Sequence, residues 1–451
     1  MKRKEFKEKV FKQAEKKGLK DYELYFATSR EFEVSINNGM IQNYKDAEKG
    51  GVSFKAVKDA RAGYSYTEDF TGEEAKRLVK DATENLELIS VADSEDIYRA
   101  KTTFENWKDY DEAFEEIAAS EKIEKTKQLE KMILDKDKRI INVPYCYSVN
   151  HKNEIFFANS AGCEYTFKTG GGGMYGGAVA TNGKQNKFGL DFLFSTDPGK
   201  IDTEELAEKI GQKALRMLDS KSIKSGKYPT ILNHEVVGSL LGLFVQMISA
   251  ENVQKGFSLL KGKLGKEIIS EKLSILDDPA YPDSIHNVPA DAQGVATAKK
   301  RIVQHGSLKT YLHSIKTAKK DGTDPTGNAF RGSYKGTETI NPVNIVIKKG
   351  DLSMEDLMQK MSDGVLITEV QGMHAGANAV SGEFSLSAAG FRIENGKRAY
   401  PIEQITLNGN LLSMLGDVME VGADRQQAMT FSYGTFVPSL YIKEMDIAGS
   451  D

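Results

Sequence analysis

The chain has 451 residues, with 61 Lys and Arg, 65 Asp and Glu and a formal net charge of −4. A chain of this length exceeds one ordinary hydrophobic core and predicts two domains, and its acidic balance argues against direct binding to nucleic acid, which requires clustered Lys and Arg. Only Cys146 and Cys163 occur, so a disulfide framework is excluded, and no stretch approaches the ~18 apolar residues of a membrane span. We therefore expect a cytoplasmic protein.

The first 136 residues predict helices around an antiparallel meander. Apolar residues at helical spacing, including Phe6, Val10 and Ala14, predict an amphipathic helix over residues 6–17. Residues 22–68 alternate apolar and polar side chains, with turns predicted at INNG (36–39) and EKGG (48–51). Residues 72–90 and 110–136 return to helical periods.

A second β region is predicted over residues 140–194, with turns at NSAG and TNGK, and a helix follows at 206–218. The glycine run at 170–173 lacks the Lys-Ser/Thr and the strand-to-helix setting of a phosphate loop, which favours a turn between strands. The polar segment 219–229 is the predicted domain boundary. The fold class is α+β, with a mixed N-terminal domain at 1–220 and a mostly antiparallel β domain at 221–451 that carries one motif-bearing helix.

The stretch NHEVVGSLLG begins like the metal-binding helix of zinc peptidases. In HExxH, two histidines four residues apart lie on one helix face, and the Glu is the general base. Here His234 and Glu235 are present, but Gly238 occupies the second histidine position of HExxH, and Ser239 occupies that of HExxxH. Asn233 is a suitable N-cap, and apolar residues from Val237 to Ile248 predict a buried helix.

The other histidines are His151, His286, His305, His313 and His374, which occur singly without ligand spacing. An approach of His374, in QGMHAGANAVSGEFS, to His234 is open from sequence. Residues 372–387, which include Gly372, His374 and Gly376, are rich in glycine and strand-like, and a plain turn and strand explain the segment.

Four strings in the C-terminal half carry a family resemblance: LNHEVVGSLLG, DPTGNAFRG, DGVLITEVQGMHAGANAVSGEFSLSAAGFRIENGK and VPSLYIKEMDIAG. In the first half, EVSINNGMIQNYKDAEKGGVSFKAVKDARAGYSYT belongs to the same pattern. Their order along nearly the whole chain resembles the TldD/PmbA family, the so-called modulators of DNA gyrase.

The resemblance implies one of two subunit types. TldD is a zinc protease with HExxxH and a cysteine ligand in a Gly-Xaa-Cys setting, whereas PmbA, or TldE, keeps the fold and pairs with TldD without holding zinc. Ser239 replaces the second histidine, and Ala423, in VGADRQQ, is assigned to the cysteine position. The chain is therefore similar to the PmbA/TldE type, with no catalytic residue and no metal of its own and with zinc in its partner.

The resemblance further implies a heterodimer with a TldD-like subunit, or a homodimer in isolation, that acts on peptides or unfolded proteins and matures leader peptides. It also implies a clamp in which an extended peptide adds to a sheet edge. Residues 372–387 are the expected surface near that site, with Gly372, His374 and Gly376 as candidates for substrate binding. Neither nucleic acid nor membrane is an expected partner. Two alternatives stay open: an active metallopeptidase with an atypical site built on His234, and a binding protein that modulates gyrase or toxin–antitoxin systems.

Overall fold

The computed structural model describes residues 1–104, 107–282, 284–430 and 432–450. Its N-terminal region contains a six-stranded antiparallel sheet in the order β3-β2-β1-β4-β5-β6. The strands are β1 (Asp21–Asn37), β2 (Met40–Lys58), β3 (Arg61–Thr67), β4 (Ile140–Asn159), β5 (Glu164–Thr181) and β6 (Asn186–Ser195). The helices are α1 (Arg3–Lys16), α2 (Gly72–Leu88), α3 (Ala119–Asp135) and α4 (Thr203–Leu215), with a 3-10 turn at Pro198–Lys200.

One of the two turns predicted in the meander is confirmed and the other is wrong. Asn38 and Gly39, in INNG, have φ of 53° and 71° and join β1 to β2, as a tight hairpin requires. EKGG instead lies inside β2, and the chain turns later, at Asp59 and Ala60. A Cβ on Gly51 would lie 2.4 Å from the Tyr334 ring, so this glycine permits close packing and does not mark a turn.

Two further predictions in the N-terminal region are corrected. The glycine run lies within β5, where a Cβ on Gly173 would lie 1.9 Å from the Leu193 carbonyl oxygen of the neighbouring strand. The run therefore allows close packing inside a sheet and forms no turn. Helix α3 begins at Ala119, so residues 110–118 of the helix predicted at 110–136 are not helical.

The two faces of the N-terminal sheet pack against different partners. Leu24 and Phe26 contact helices α1 and α2, whereas Tyr25, which points to the other face, packs against residues of the C-terminal region such as Ala290 and Tyr334. Helices α3 and α4 pack together against β4 and β5. The sheet is thus covered by helices on one face and by the rest of the chain on the other.

The C-terminal region is built mainly from two six-stranded sheets and a short hairpin. Their orders are β10-β9-β8-β13-β19-β18, β16-β15-β14-β7-β20-β17 and β11-β12. The strands are β7 (Gly226–Leu232), β8 (Ile275–Asp277), β9 (Lys300–Gln304), β10 (Ser307–Leu308), β11 (Ala329–Phe330), β12 (Thr339–Ile340), β13 (Asn344–Ile347), β14 (Gly364–Gln371), β15 (Glu383–Glu394), β16 (Lys397–Asn410), β17 (Val418–Val421), β18 (Gln426–Gln427), β19 (Gly434–Val437) and β20 (Leu440–Ala448). Pairing is antiparallel except for β7 with β14 and β13 with β19.

Helix α5 (His234–Ile248) lies at the centre of this region and contacts β14 of one sheet and β19 of the other. Its residues Val237, Leu240 and Phe244 are fully buried, which confirms the predicted apolar stripe. The remaining helices are α6 (Ala250–Lys255), α7 (Ile315–Asp321), α8 (Met354–Met361), α9 (Met373–Gly376) and α10 (Leu411–Gly416). In the described part of the chain, no helix is long and apolar enough to cross a membrane.

Buried charges join the two regions. Glu23 and Lys55 come from the N-terminal sheet, and Arg331 and Glu338 come from the β11–β12 hairpin; we call these four residues the interface cluster. Arg331 pairs with Glu338 and donates to Ser53 Oγ at 2.6 Å, while Lys55 Nζ lies 3.7 Å from Glu23 Oε1. The division at residue 220 into two independent domains stays a prediction.

Candidate functional site

The N-terminus of α5 forms the site to which the motif pointed. Strand β7 lies between β14 and β20 and ends at Leu232, so that Asn233 starts the helix at the edge of the sheet. The Asn233 side chain accepts a hydrogen bond from the backbone N–H of Val236 at 3.0 Å, which caps the helix. Because the next turns of α5 are buried in the core, His234 and Glu235 are held at its outer end.

His234 is a half-buried imidazole that has no hydrogen-bond partner among the described residues. Its Nε2 lies 4.0 Å from Glu235 Oε1, which is too long for a hydrogen bond. Burial lowers the pKa of His234 more than the nearby carboxylates of Glu235 and Asp424 raise it. The side chain is therefore neutral at physiological pH.

Glu235 is tied to a lysine from the N-terminal region. Lys213, on α4, forms an ion pair with the Glu235 carboxylate, and its Nζ also lies 2.9 Å from Asp191 Oδ2 and donates to the Leu190 carbonyl at 3.1 Å. We call Asp191, Lys213, Glu235 and the neighbouring Arg216 the α5 cluster. The Glu235 carboxylate is therefore held by a cation that comes from a different region of the chain.

The structure separates the two possible positions for a second histidine. A Cβ on Gly238 would lie 2.3 Å from the Cβ of Ala428, so no side chain fits there. Ser239 instead faces a cavity of about 300 Å³ that Glu235 also lines. The Ser239 hydroxyl donates to the Glu235 carbonyl at 2.9 Å within the helix. HExxxH is thus the spacing that this helix could accommodate.

The segment predicted to replace the cysteine ligand lies near the same place. The Ala423 N–H donates to the Leu352 carbonyl at 2.8 Å. The next residue, Asp424, accepts hydrogen bonds from the Ser439 N–H at 3.0 Å and the Ser439 hydroxyl at 2.7 Å, and its charge acts on His234. The sequence analysis did not single out Asp424. If Gly422 is taken as the glycine of the Gly-Xaa-Cys pattern, Asp424 occupies the cysteine position. The assignment of Ala423 stays a prediction.

These side chains do not fit a zinc ion. Within the ranges described above, no three His, Cys, Asp or Glu side chains are grouped so that they could hold a metal. Structural and catalytic zinc sites need at least three protein ligands. Beside His234, the Glu235 carboxylate is already paired with Lys213, and the Ser239 hydroxyl is hydrogen-bonded within the helix. That this chain carries no metal stays a prediction.

The predicted substrate-binding residues Gly372, His374 and Gly376 follow β14. His374 is exposed on the short helix α9, and among the described residues no group of possible metal ligands joins it to His234. The strand-like prediction for residues 372–387 is wrong up to β15, because Gly372 has φ of 89° and starts α9. The C-terminal end of β14 does line the α5 cavity, through Glu369 and Val370. Substrate binding by these three residues stays a prediction.

A cleft at the junction of the two regions lies next to this cavity. Two spaces of about 920 and 1030 Å³ lie between the N-terminal sheet and the C-terminal region and share His151 and Arg331 among their lining residues. Leu190 and Met429 line both the first space and the α5 cavity. Sequence reasoning missed this cleft because its walls come from segments far apart in the chain.

The walls of the first space are aromatic and mostly uncharged, whereas charged side chains such as Glu48, Lys49 and Lys335 line the second. The rings of Tyr147 and Tyr175, on β4 and β5, stack with centroids 4.7 Å apart. Burial lowers the pKa of His286 to about 4 and also lowers that of His151, so both imidazoles are uncharged at neutral pH. Such a surface suits an uncharged, partly apolar ligand.

Family models match most of the chain. They describe PmbA/TldA metallopeptidase domain 1 (residues 22–86), the central domain (112–218) and the C-terminal domain (225–449). The Metalloprotease PmbA homolog of Buchnera aphidicola subsp. Acyrthosiphon pisum is 26% identical over 433 residues, which cover 92% of this chain and 90% of that protein.

Two solved structures are similar along the whole fold. A Thermotoga maritima protein named as a modulator of DNA gyrase is 34% identical, with a TM-score of 0.91 over 99% of this chain and 100% of that one. TldE from Thermococcus kodakarensis is 25% identical, with a TM-score of 0.90 over 98% of this chain and 100% of that one.

Proposed function

This chain belongs to the PmbA/TldD metallopeptidase family, and on that basis we propose that it is the PmbA/TldE-type subunit of a TldD-type zinc peptidase and binds no zinc itself. The observation that carries the proposal is Ser239, which stands at the one position of α5 that could present a second histidine. The similarity to TldE from Thermococcus kodakarensis supports the same assignment.

The local chemistry supports a silent site. A zinc ion on one imidazole would be bound weakly and would lack the geometry that lowers the pKa of its bound water. Glu235 would then have no activated water to deprotonate, and its carboxylate is paired with Lys213. Both residues keep the family's pattern while serving packing and charge balance.

The partner in this proposal is a TldD-like subunit that supplies zinc, and the substrates are peptides or unfolded proteins. The first of the two spaces between the regions supports this role because its walls are aromatic and mostly uncharged. In isolation the chain forms a homodimer.

Co-purification tests the pairing. A TldD-type subunit from the same genome, expressed with this chain, should elute with it as a heterodimer and cleave an unfolded substrate such as casein. His234→Ala in this chain should leave the cleavage rate unchanged. A large loss of cleavage in that variant would instead support the alternative of an atypical active site that uses His234.

One observation favours a second candidate function. The Thermotoga maritima relative is named as a modulator of DNA gyrase. A protein that acts in this way should capture gyrase subunits from a lysate at a step where no peptidase partner is recovered. Recovery of the peptidase subunit without gyrase would reject it.

A further inference from the structure

The α5 cavity has apolar walls and a charged end. Its volume of about 300 Å³ is at the lower end of the range for ligand pockets, so it has room for one residue of a peptide. Apolar side chains from β6, α5, β14 and two connecting segments form its walls: Phe188, Leu190, Phe192, Met217, Val236, Val370 and Met429. Arg216, at the end of α4, also lines it.

Arg216 has unused hydrogen-bonding capacity. Its Nε is buried and has no hydrogen-bond partner, and within the described residues no carboxylate lies within 4.0 Å of its guanidinium. The guanidinium carbon lies 5.7 Å from the centre of the Phe391 ring. A buried donor without a partner costs free energy, and a ligand that accepts the hydrogen bond removes that cost.

A second arginine lies beside the first. The Arg398 guanidinium carbon is 5.2 Å from the centre of the same Phe391 ring. Burial, and next the positive charge of Arg398, lower the pKa of Arg216. Two nearby guanidinium groups repel each other, and an anion bound to Arg216 would reduce that repulsion.

The nearby carboxylates are otherwise engaged. Asp191 and Glu235 both pair with Lys213, and Glu369 accepts a hydrogen bond from Gln371 at 2.6 Å. Three carboxylates therefore face the three cations Lys213, Arg216 and Arg398. An incoming carboxylate meets no net negative charge, and the two arginines are the cations without a close acidic partner.

We propose that this cavity binds the C-terminal residue of a peptide, with the free carboxylate on Arg216, the charge of Arg398 adding to the attraction, and an apolar side chain among Phe188, Phe192 and Met217. The planar guanidinium matches a carboxylate with two parallel hydrogen bonds. This inference rests on the proposed function for the source of the peptide, which is a substrate or product of the peptidase complex. An acidic side chain within a peptide offers the same chemical group, and the experiment separates the two sources.

The test is calorimetric titration of the full-length chain with three short peptides. These are acetyl-Ala-Ala-Phe with a free carboxylate, the same peptide as its C-terminal amide, and acetyl-Ala-Glu-Phe amide. The free carboxylate should bind at least about tenfold more tightly than either amide, as expected for a charge-assisted hydrogen bond. Arg216→Gln should remove that preference.

Arg392→Gln is the matched control. Arg392 is also half-buried beside an aromatic ring, 5.7 Å from the centre of Tyr228, but it donates to the Gly364 carbonyl at 2.9 Å and pairs with Glu394. That variant should keep the preference for a free carboxylate. Arg398→Gln, at an exposed position, should weaken it and gives a second reading if Arg216→Gln does not fold.

Equal binding of the acid and the amide would overturn the proposal. Tight binding of the Glu-containing amide would assign the site to acidic side chains and overturn the C-terminal assignment. The titration contains no peptidase partner, so its failure leaves the co-purification result untouched. Failure of co-purification likewise leaves the measured peptide preference in place.

Discussion

The interface cluster and the α5 cluster show two different uses of charge in one protein. In the interface cluster, the side chains of Glu23, Lys55 and Arg331 are 1% exposed. In the α5 cluster, Lys213 is 16% exposed and Glu235 is 29% exposed. Fully buried charges find their partners across the two regions and hold them together, whereas the half-exposed cluster keeps one cation, Arg216, without a carboxylate and therefore open to a ligand.

Removing Arg331 should have the largest effect on stability. Arg331→Met would leave Glu23 and Glu338 buried with Lys55 as the remaining cation of the interface cluster. We expect the free energy of unfolding to fall by about 3–5 kcal/mol, the cost of leaving an uncompensated charge in a buried pair. Guanidinium denaturation followed by circular dichroism measures it.

Arg77→Met is the matched control, because Arg77 also bonds to a carboxylate, that of Glu74, but is 52% exposed on α2. Its loss should cost less than about 1 kcal/mol. Equal losses in the two variants would show that burial does not set the two kinds of charge apart.

The pH dependence of stability should show which carboxyl group of the interface cluster holds a proton in the folded protein. Burial raises the pKa of Glu23 to about 7, since neither of its oxygens has a hydrogen-bond partner and Lys55 and Arg331 offset only part of that cost. Glu338 is also buried, but Arg331 and Lys55 lower its pKa to about 2.

The folded protein therefore binds a proton at Glu23 that the unfolded chain, with a pKa near 4.5, has already released. The stability that this proton contributes is present below pH 4.5 and is lost as the pH rises to about 7. As the pH rises across that window, the free energy of unfolding of the wild type should fall by roughly 1–3 kcal/mol relative to that of Glu23→Gln. A difference that stays constant with pH would contradict a proton on Glu23.

Removing the cation of the α5 cluster should cost less than removing that of the interface cluster. Lys213→Met would leave Asp191 and Glu235 without their shared partner, but water reaches both carboxylates. We expect the free energy of unfolding to fall by about 1–2 kcal/mol, measured by the same denaturation. A loss as large as that of Arg331→Met would place the α5 cluster among the buried structural charges.

Ser239→Ala should have the smallest effect. In the part of the chain that the structure describes, the Ser239 hydroxyl bonds only within its own helix. Alanine also favours a helix interior more than serine does. Stability should change by less than about 0.5 kcal/mol, and cleavage by the heterodimer should be unchanged. A marked loss of cleavage would show that Ser239 takes part in the chemistry.

The elements that follow from local sequence were predictable. Helical spacing found α1, α2 and α5, and INNG located a turn, because these depend on residues close in the chain. EKGG was misread since the reason for Gly51 is Tyr334, which lies far along the chain. A glycine that permits a long-range contact and one that makes a turn look alike in sequence.

Some residues of the candidate site were predictable from the sequence, and others were not. His234, Glu235 and Ser239 were found from one motif on one helix. Lys213 and Asp191 lie on α4 and β6, and no local pattern links them to Glu235. The unpartnered Arg216 could be recognised only after the fold placed it in the α5 cavity.

Zinc content and cleavage, measured on the same preparations, test directly whether this chain binds no zinc and depends on a TldD-type subunit for peptidase activity. The purified chain should contain far less than one zinc ion per molecule and leave casein intact, whereas the mixture with a TldD-type subunit should contain zinc and cleave it. One zinc ion per molecule of this chain alone, together with cleavage that His234→Ala abolishes, would contradict its assignment as a subunit without a zinc site.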